Sequence, residues 1–401
     1  MLYRKDEITG NSLSQLGFGC MRLPRSAFGI DIKESEEIIR LAIDNGINFF
    51  DTAYMYKGSE EALGTIINNL RVRDKIYLTS KLPWLMAKKS EDLENYLNES
   101  LSRLKTDYID YYFIHLLTDY SAWEKLVSWG IIERIDEWKK SGKIRSIGFS
   151  FHGSYSDYIK ILNAYDWEMC ILQYNYSDEN FQAGIRGIRA AKKRGIPVVI
   201  MEPLLGGRLA NALPEKALHE FRHANTLAGI NRTPAEWAFD WLWNQPEPTV
   251  ILSGMNSVSM VKENITSASR AKEGMLTESE LSTIQKVREI WNESNKVNCT
   301  GCGYCMPCPM GVNIPGCFAS YNASFSQGRM YGLRSYFMST SLLNNPQIAS
   351  KCVRCGKCEK ICPQKIPIME SLADVKKRLE PAPFMLMMML SRKFTGKDKK
   401  K

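Results

Sequence analysis

The stretch IKESEEIIRLAIDNGINFFDTA, residues 32–53, decides the fold. Its first part has helical apolar periodicity and closes at Gly46, the residue type that most easily takes the left-handed conformation of a helix end. The run INFFDTA that follows is short, branched and aromatic, as a buried strand is. Seven further runs have the same character: LGFGC (16–20), IYLTSKL (76–82), YIDYYFIH (108–115), IRSIGFS (144–150), CILQYN (170–175), PVVIMEP (197–203) and TVILSG (249–254). Helical stretches lie between them. IIERIDEWKKSGK closes at Gly142, and SEDLENYLNESLSRL is expected to open with Ser90 as its cap and to carry Leu93, Leu97, Leu101 and Leu104 on one face. Strands alternating with helices imply a parallel sheet, and eight such units in about 250 residues match a closed (β/α)8 barrel. An open doubly wound sheet would call for a G-x-G-x-x-G turn after the first strand, and LGFGCMRLPRS offers only Gly17 and Gly19.

Composition sets the outer bounds. The chain has 401 residues, 44% of them hydrophobic and 24% charged, which is globular and long enough for one large domain and one small one. The predicted boundaries are a barrel over 1–275, a connecting helix over 276–298, a ferredoxin-like α+β domain over 299–380 and a basic tail over 381–401. The net charge of +9 is not a nucleic-acid signal, because residues 391–401 alone hold six basic residues and one acidic. No export signal is legible at the N-terminus, and the longest apolar run, FMLMMML at 384–390, is far short of the ~20 residues of a spanning helix. The expectation is a cytoplasmic protein with no integral membrane association and no nucleic-acid partner.

A closed barrel carries its chemistry at the C-terminal ends of its strands. Three consecutive strands end in Asp51, Lys81 and His115, and Tyr54 and Tyr56 follow the aspartate in one loop. Neighbouring strands lie about 5 Å apart, so these side chains can converge. Carbonyl reduction needs a proton donor for the alkoxide formed as hydride arrives, and an ammonium beside a tyrosine makes that phenol a better acid. A carboxylate holds the ammonium, and a histidine donor orients the carbonyl oxygen.

With FDTAYMYKGSEEALG, the lysine of LTSKL and the histidine of YYFIHL, the chain resembles the aldo/keto reductases, (β/α)8 enzymes that use a nicotinamide nucleotide. The resemblance covers roughly residues 1–270 and selects Tyr56 over Tyr54, five residues after the aspartate. It implies Tyr56 as general acid, Lys81 as the group that tunes it, Asp51 as the partner of Lys81, and His115 as the orienting residue. It also implies NADPH or NADH, held by Gly19, Cys20, Met21, Ser150, Gln173, Met201, Pro203, Leu204, Ser253, Gly254, Asn256, Glu263 and Asn264. Three positions depart from the family pattern. Phe151 stands where an asparagine is usual, Met201 where an aromatic residue stacks on the nicotinamide, and Met260 where an arginine would recognise a 2′-phosphate. Lys262 is the basic residue nearest that gap in sequence. The loops 118–130 and 204–232, with Phe151, Trp84 and Trp123, are expected to line the substrate pocket.

Nine of the eleven cysteines follow residue 298. CTGCGYCMPCP (299–309) and CVRCGKCEKICP (352–363) carry the repeated C-x2-C spacing, the second with the C-x3-C-P ending of bacterial ferredoxins. In such two-cluster proteins the fourth cysteine ligates the other cluster. That places Cys299, Cys302, Cys305 and Cys362 on one [4Fe–4S] cluster, and Cys352, Cys355, Cys358 and Cys308 on the other, with Cys317 a substitute for Cys308. Two zinc sites of four cysteines each are the rival, although zinc favours two separated knuckles over three successive turns. Cys20 and Cys170 are expected to be buried packing.

Taken together, the sequence predicts an NAD(P)H-linked oxidoreductase of small carbonyls or alcohols. Its clusters serve either as structural staples or as a relay to a ferredoxin or flavodoxin-like partner, a flavin being one way to convert two electrons into one. The competing prediction is an electron-transfer or partner-binding protein whose barrel has lost nicotinamide turnover.

Overall fold

The computed structural model describes residues 1–27, 29–341 and 346–382. The basic tail from residue 383 onward, FMLMMML included, and four residues of the expected insert 313–350 lie outside the described residues. The chain divides into two compact units. The first comprises Met1–Pro203 and Ala238–Thr277, and the second comprises Leu204–Trp237 together with the chain from Glu278 onward.

All eight expected strands form. They are β1 (Leu16–Gly19), β2 (Phe49–Asp51), β3 (Tyr77–Leu82), β4 (Ile109–Leu117), β5 (Ile144–Phe151), β6 (Met169–Gln173), β7 (Val198–Met201) and β8 (Val250–Ser253). Each pairs in parallel with its neighbours in sequence, and β8 returns to β1, so the sheet closes and has no edge. A hairpin, Tyr3–Lys5 against Ser12–Ser14, precedes the barrel. The interior is filled by Leu13, Phe49, Tyr111, Phe113, Met169, Ile171, Val199, Val250 and Leu252. Gly17 is required there, because a Cβ at that position would lie 2.7 Å from Val250 Cγ1 and 2.8 Å from Leu252 Cδ2.

The helices end where the sequence sets them. Ile32–Asp44 stops before Gly46 (φ 89°), and Ile131–Lys140 before Gly142 (φ 75°). The helix Glu91–Leu104 buries all four predicted leucines. Its start differs from the expectation. Ser90 stands at the cap position without a side-chain cap bond, and the Asp92 carboxylate instead accepts from the Lys88 and Lys89 backbone N–H groups at 2.8 and 3.2 Å. These bonds tie the residues before the helix to its first turn.

The sequence assigns residues 204–237 to the barrel domain, whereas in the structure they cluster with the C-terminal residues. The helix Glu215–Ala228 packs on Glu278–Ser294 within the second unit. The apolar centre of that unit contains Val312, Ile314, Phe318, Ile348, Ile368, Leu372 and Leu379. Among the described residues its regular structure is carried by helices alone, without the strands that an α+β module implies. Also among the described residues, no helix is long and apolar enough to cross a membrane.

Candidate functional site

The closed sheet brings Asp51, Lys81 and His115 to one end of the barrel. Lys81 Nζ donates to Asp51 Oδ1 at 2.6 Å and to the Thr52 carbonyl at 2.7 Å, and Thr79 Oγ1 donates to the same carboxylate oxygen at 2.8 Å. Asp51 and Lys81 are both buried. Desolvation pulls the Lys81 ammonium below the ordinary lysine range, and Asp51 opposes that pull. Lys81 Nζ stands 4.9 Å from the centre of the Tyr56 ring, and the Tyr56 and His115 rings meet edge to face at 6.1 Å. His115 is buried, and burial, with smaller contributions from Lys81 and His152, holds its imidazole well below its usual pKa. It is therefore neutral near pH 7 and able to present one N–H to an oxygen.

Tyr54 faces elsewhere. Its hydroxyl donates to Glu99 Oε2 at 2.6 Å, its ring packs edge to face on Tyr96, and Arg103 stacks on it at 4.1 Å. Of the two tyrosines in the loop, Tyr56 alone lies beside the lysine and the histidine.

The expected nucleotide contacts divide into locked and open groups. Ser150 Oγ accepts from the Leu116 backbone N–H at 2.9 Å, Gln173 Nε2 donates to Asp178 Oδ2 at 3.1 Å, and Asn264 Nδ2 donates to Ser253 Oγ at 2.9 Å. All five of these side chains are buried, so they are rigid presenters of their remaining polar atoms. Gly19, Met21, Met201, Leu204 and Glu263 are partly exposed, Gly254 and Asn256 are exposed, and Pro203 is buried. The Cys20 side chain is fully buried and its thiol is pushed far up by desolvation, while its carbonyl accepts from Ser59 Oγ at 2.9 Å. Met260 and Lys262 are exposed.

Several residues escaped the sequence reading. Thr79 shares the Asp51 carboxylate. Glu60 is buried, takes a 2.5 Å hydrogen bond from Ser80 Oγ, and has its carboxyl pushed up by desolvation. His152 acts electrostatically on His115. Of these only His152 directly follows a strand end; Thr79 lies within the strand Tyr77–Leu82 and Glu60 in the helix Ser59–Leu70, where sequence alone does not mark them. Of the expected pocket walls, Trp84 donates from Nε1 to the His115 carbonyl at 2.7 Å. Trp123 and Phe151 are instead packing. Trp123 meets Trp167 at 4.9 Å, and Phe151 is fully buried and meets Tyr158 at 5.4 Å. Of the loop 118–130, Tyr120–Ser128 is helical.

In the second unit, Cys299, Cys302, Cys305 and Cys362 line a single recess. Ile314, Pro315, Phe318, Ile366 and Ile368 complete its apolar wall. Three cysteines from one motif and one from the other thus line one largely apolar recess. Cys308, Cys352 and Cys358 pack against the same apolar centre, and Cys355 is exposed. Cys317 is fully buried, with Sγ 3.9 Å from the Tyr336 hydroxyl and 3.9 Å from the Gln347 carbonyl. Arg208 donates from Nη1 to the Cys299 carbonyl at 3.2 Å and stacks on Trp291 at 4.8 Å. Cys170 is buried against Tyr158, as expected of packing.

Fold and cysteine recess define an oxidoreductase built on a closed parallel barrel with an iron–sulfur module. Residues 15–289 match the model of the Aldo/keto reductase family, and residues 298–366 match that of the 4Fe-4S dicluster domain. The chain belongs to the aldo/keto reductase family. It is 30% identical over 273 residues to a 6-dehydroglucose reductase of Novosphingobium aromaticivorans, covering 64% of this chain and 86% of that protein. It is 27% identical over 300 residues to an L-galactose dehydrogenase of Arabidopsis thaliana, covering 70% and 92%. The solved holo structure of an aldo-keto reductase from Bacillus halodurans superposes with a TM-score of 0.59 at 26% identity, covering 72% of this chain and 96% of that one.

Proposed function

We propose that this protein interconverts a small carbonyl compound and its alcohol with NADPH or NADH, and that it exchanges single electrons through two [4Fe–4S] clusters. The observation that carries the first half is the buried Lys81–Asp51 pair with the Tyr56 ring 4.9 Å from the ammonium. When bound, a nicotinamide nucleotide would supply the hydride. Tyr56 gives its phenolic proton to the substrate oxygen as negative charge develops there. Lys81 favours the phenolate left behind, and Asp51 keeps the ammonium in place and charged. His115, neutral and buried, donates to the same oxygen and fixes its direction. In alcohol oxidation each proton moves the other way. Ser150 and Gln173 would meet the carboxamide, and Gly19, Cys20, Met21, Met201, Pro203, Leu204, Ser253, Gly254, Asn256, Glu263 and Asn264 the rest of the nucleotide.

Cys299, Cys302, Cys305 and Cys362 would hold one cluster, and Cys352, Cys355, Cys358 and Cys308 the other. When bound, the clusters supply one-electron redox chemistry that the tetrad does not need. That mismatch favours a relay to a ferredoxin or flavodoxin-like partner over a purely structural use. A barrel domain followed by a cysteine-bearing domain is the organisation proposed, with residues 204–237 grouping with the second unit. A cytoplasmic location accords with clusters that need thiols kept reduced.

Titration calorimetry of the holo-protein with NADPH and with NADH tests the reading. Micromolar binding of at least one, with Tyr56→Phe binding equally but turning over about 10²–10⁴-fold more slowly, is expected. Binding of neither would favour the second reading, an electron-transfer protein with a lapsed barrel. The observation behind that reading is the exposed Met260 where a phosphate-binding guanidinium is expected.

A further inference from the structure

The two cysteine motifs differ in a way that cluster chemistry does not require. CTGCGYCMPCP (299–309) contains no charged residue. Residues 351–365, KCVRCGKCEKICPQK, contain Lys351, Arg354, Lys357, Lys360 and Lys365 against Glu359 alone. Arg354, Lys357, Lys360 and Lys365 are exposed, whereas Glu359 is half-buried and turns Oε1 to the Met369 backbone N–H at 2.8 Å. The acidic residue is thus occupied and the basic ones face solvent.

Exposure of apolar surface follows the same asymmetry. Val353, between two ligands of the second motif, is 59% exposed, and Cys355 is exposed with it. Met310, two residues after Cys308, is 44% exposed. Cys299, Cys302, Cys305 and Cys362 instead line a recess walled by isoleucine, proline and phenylalanine. Exposed apolar residues interspersed in sequence with exposed basic ones suit a transient protein interface, in which charge steers encounter and apolar contact allows close approach.

We infer that the segment 351–365, with Met310 beside Cys308, is the docking surface for an acidic one-electron carrier protein, and that electrons enter or leave this protein through the cluster held by Cys352, Cys355, Cys358 and Cys308. The inference rests on the two-cluster reading above. In the exchange one electron leaves the reduced centre of the carrier and enters the cluster, or makes the reverse journey. The donor is oxidised by one, the acceptor is reduced by one, and no bond or proton moves. Tunnelling falls steeply with distance, so the exposed edge at Cys355 is a more efficient port than the four cysteines of the recess, none of which is exposed.

The test uses the full-length holo-protein and an acidic plant-type [2Fe–2S] ferredoxin as probe, with the direction of transfer set by potentials measured beforehand. The bimolecular rate constant is read by stopped flow in Arg354→Glu/Lys357→Glu/Lys360→Glu. It is also read in a control of equal charge change, Lys33→Glu/Lys192→Glu/Lys193→Glu, at exposed positions on the barrel. The first triple is expected to lose at least tenfold and the control less than twofold. The wild-type rate should fall as salt shortens the Debye length from about 10 Å at 0.1 M to about 3 Å at 1 M. Equal rates in the two triples, or a salt-independent wild-type rate, would overturn the docking surface. Loss of binding to phosphatidylglycerol vesicles with an unchanged ferredoxin rate would also overturn it, in favour of a lipid surface. Iron analysis and EPR of the same samples separate the premises, since fewer than two clusters in wild type would remove the reading on which the docking surface depends.

Discussion

Lys81 Nζ lies 2.6 Å from Asp51 Oδ1, with both side chains at most 4% exposed, so neither charge has water to fall back on. Removing one partner of such a pair typically costs about 3–5 kcal/mol because the other is left buried and uncompensated. Lys81→Met is expected to destabilise the barrel by that order in urea unfolding. It should also lower carbonyl turnover, and adding Asp51→Asn should restore most of the stability and none of the activity. Full activity in Lys81→Met would remove the tetrad reading.

His115 gives a pH dependence whose sign is fixed by its environment. Its folded pKa is depressed by burial, while the unfolded chain titrates near 6.5. Above that value both states are neutral and His115 contributes no slope. As pH falls below about 6.5 the unfolded chain takes up a proton that the folded one refuses, so stability declines by up to about 1.4 kcal/mol per pH unit until the folded pKa is reached. Urea denaturation between pH 7 and pH 5 should show His115→Asn losing less stability over that window than wild type.

Cys317 and Cys308 are distinguished by their surroundings. Cys317 is sealed in the second unit beside the Tyr336 hydroxyl, while Cys308 is part of the motif and partly exposed. Cys317→Ser should leave iron content and EPR signals unchanged at a modest cost in stability. Cys308→Ser should lower the iron count or alter one cluster's signal.

The Arg208 guanidinium, 3.2 Å from the Cys299 carbonyl, is a fixed positive charge at the edge of the four-cysteine recess. Positive charge beside a cluster favours its reduced form. Arg208→Gln is therefore expected to move one midpoint potential to a more negative value in an EPR-monitored titration, with Arg208→Lys keeping most of the wild-type value. Identical potentials in all three proteins would show that Arg208 serves packing alone.

Gly64 marks where two barrel helices meet. A Cβ there would fall 2.4 Å from the Arg103 carbonyl oxygen and 2.6 Å from the Leu104 carbonyl carbon, backbone atoms that have no rotamer to yield. Gly64→Ala should therefore destabilise by about 1–3 kcal/mol despite improving helix propensity, a difference thermal unfolding would register.

The eight strands, the helix ends at Gly46 and Gly142, and the four leucines of Glu91–Leu104 were legible because periodicity and turn residues are local properties. Asp51, Lys81 and His115 were legible for a related reason, since in a closed parallel barrel each strand end is assigned to the same rim by topology alone. The cysteine spacing likewise announced its chemistry. Contacts between segments distant in sequence were not legible. The resemblance already selected Tyr56 over Tyr54, two residues apart in one loop, but the packing of Glu99 and Arg103 around Tyr54 was not legible. Trp123 reads as a pocket wall until Trp167 closes on it, and residues 204–237 read as barrel until they cluster with the C-terminal helices. Sequence alone determined which elements form and which residue types reach the barrel rim, because backbone propensity and apolar spacing act over a few residues. The tertiary structure decided which of those residues face one another, because burial and charge pairing are settled by whatever the folded chain brings within a few ångströms.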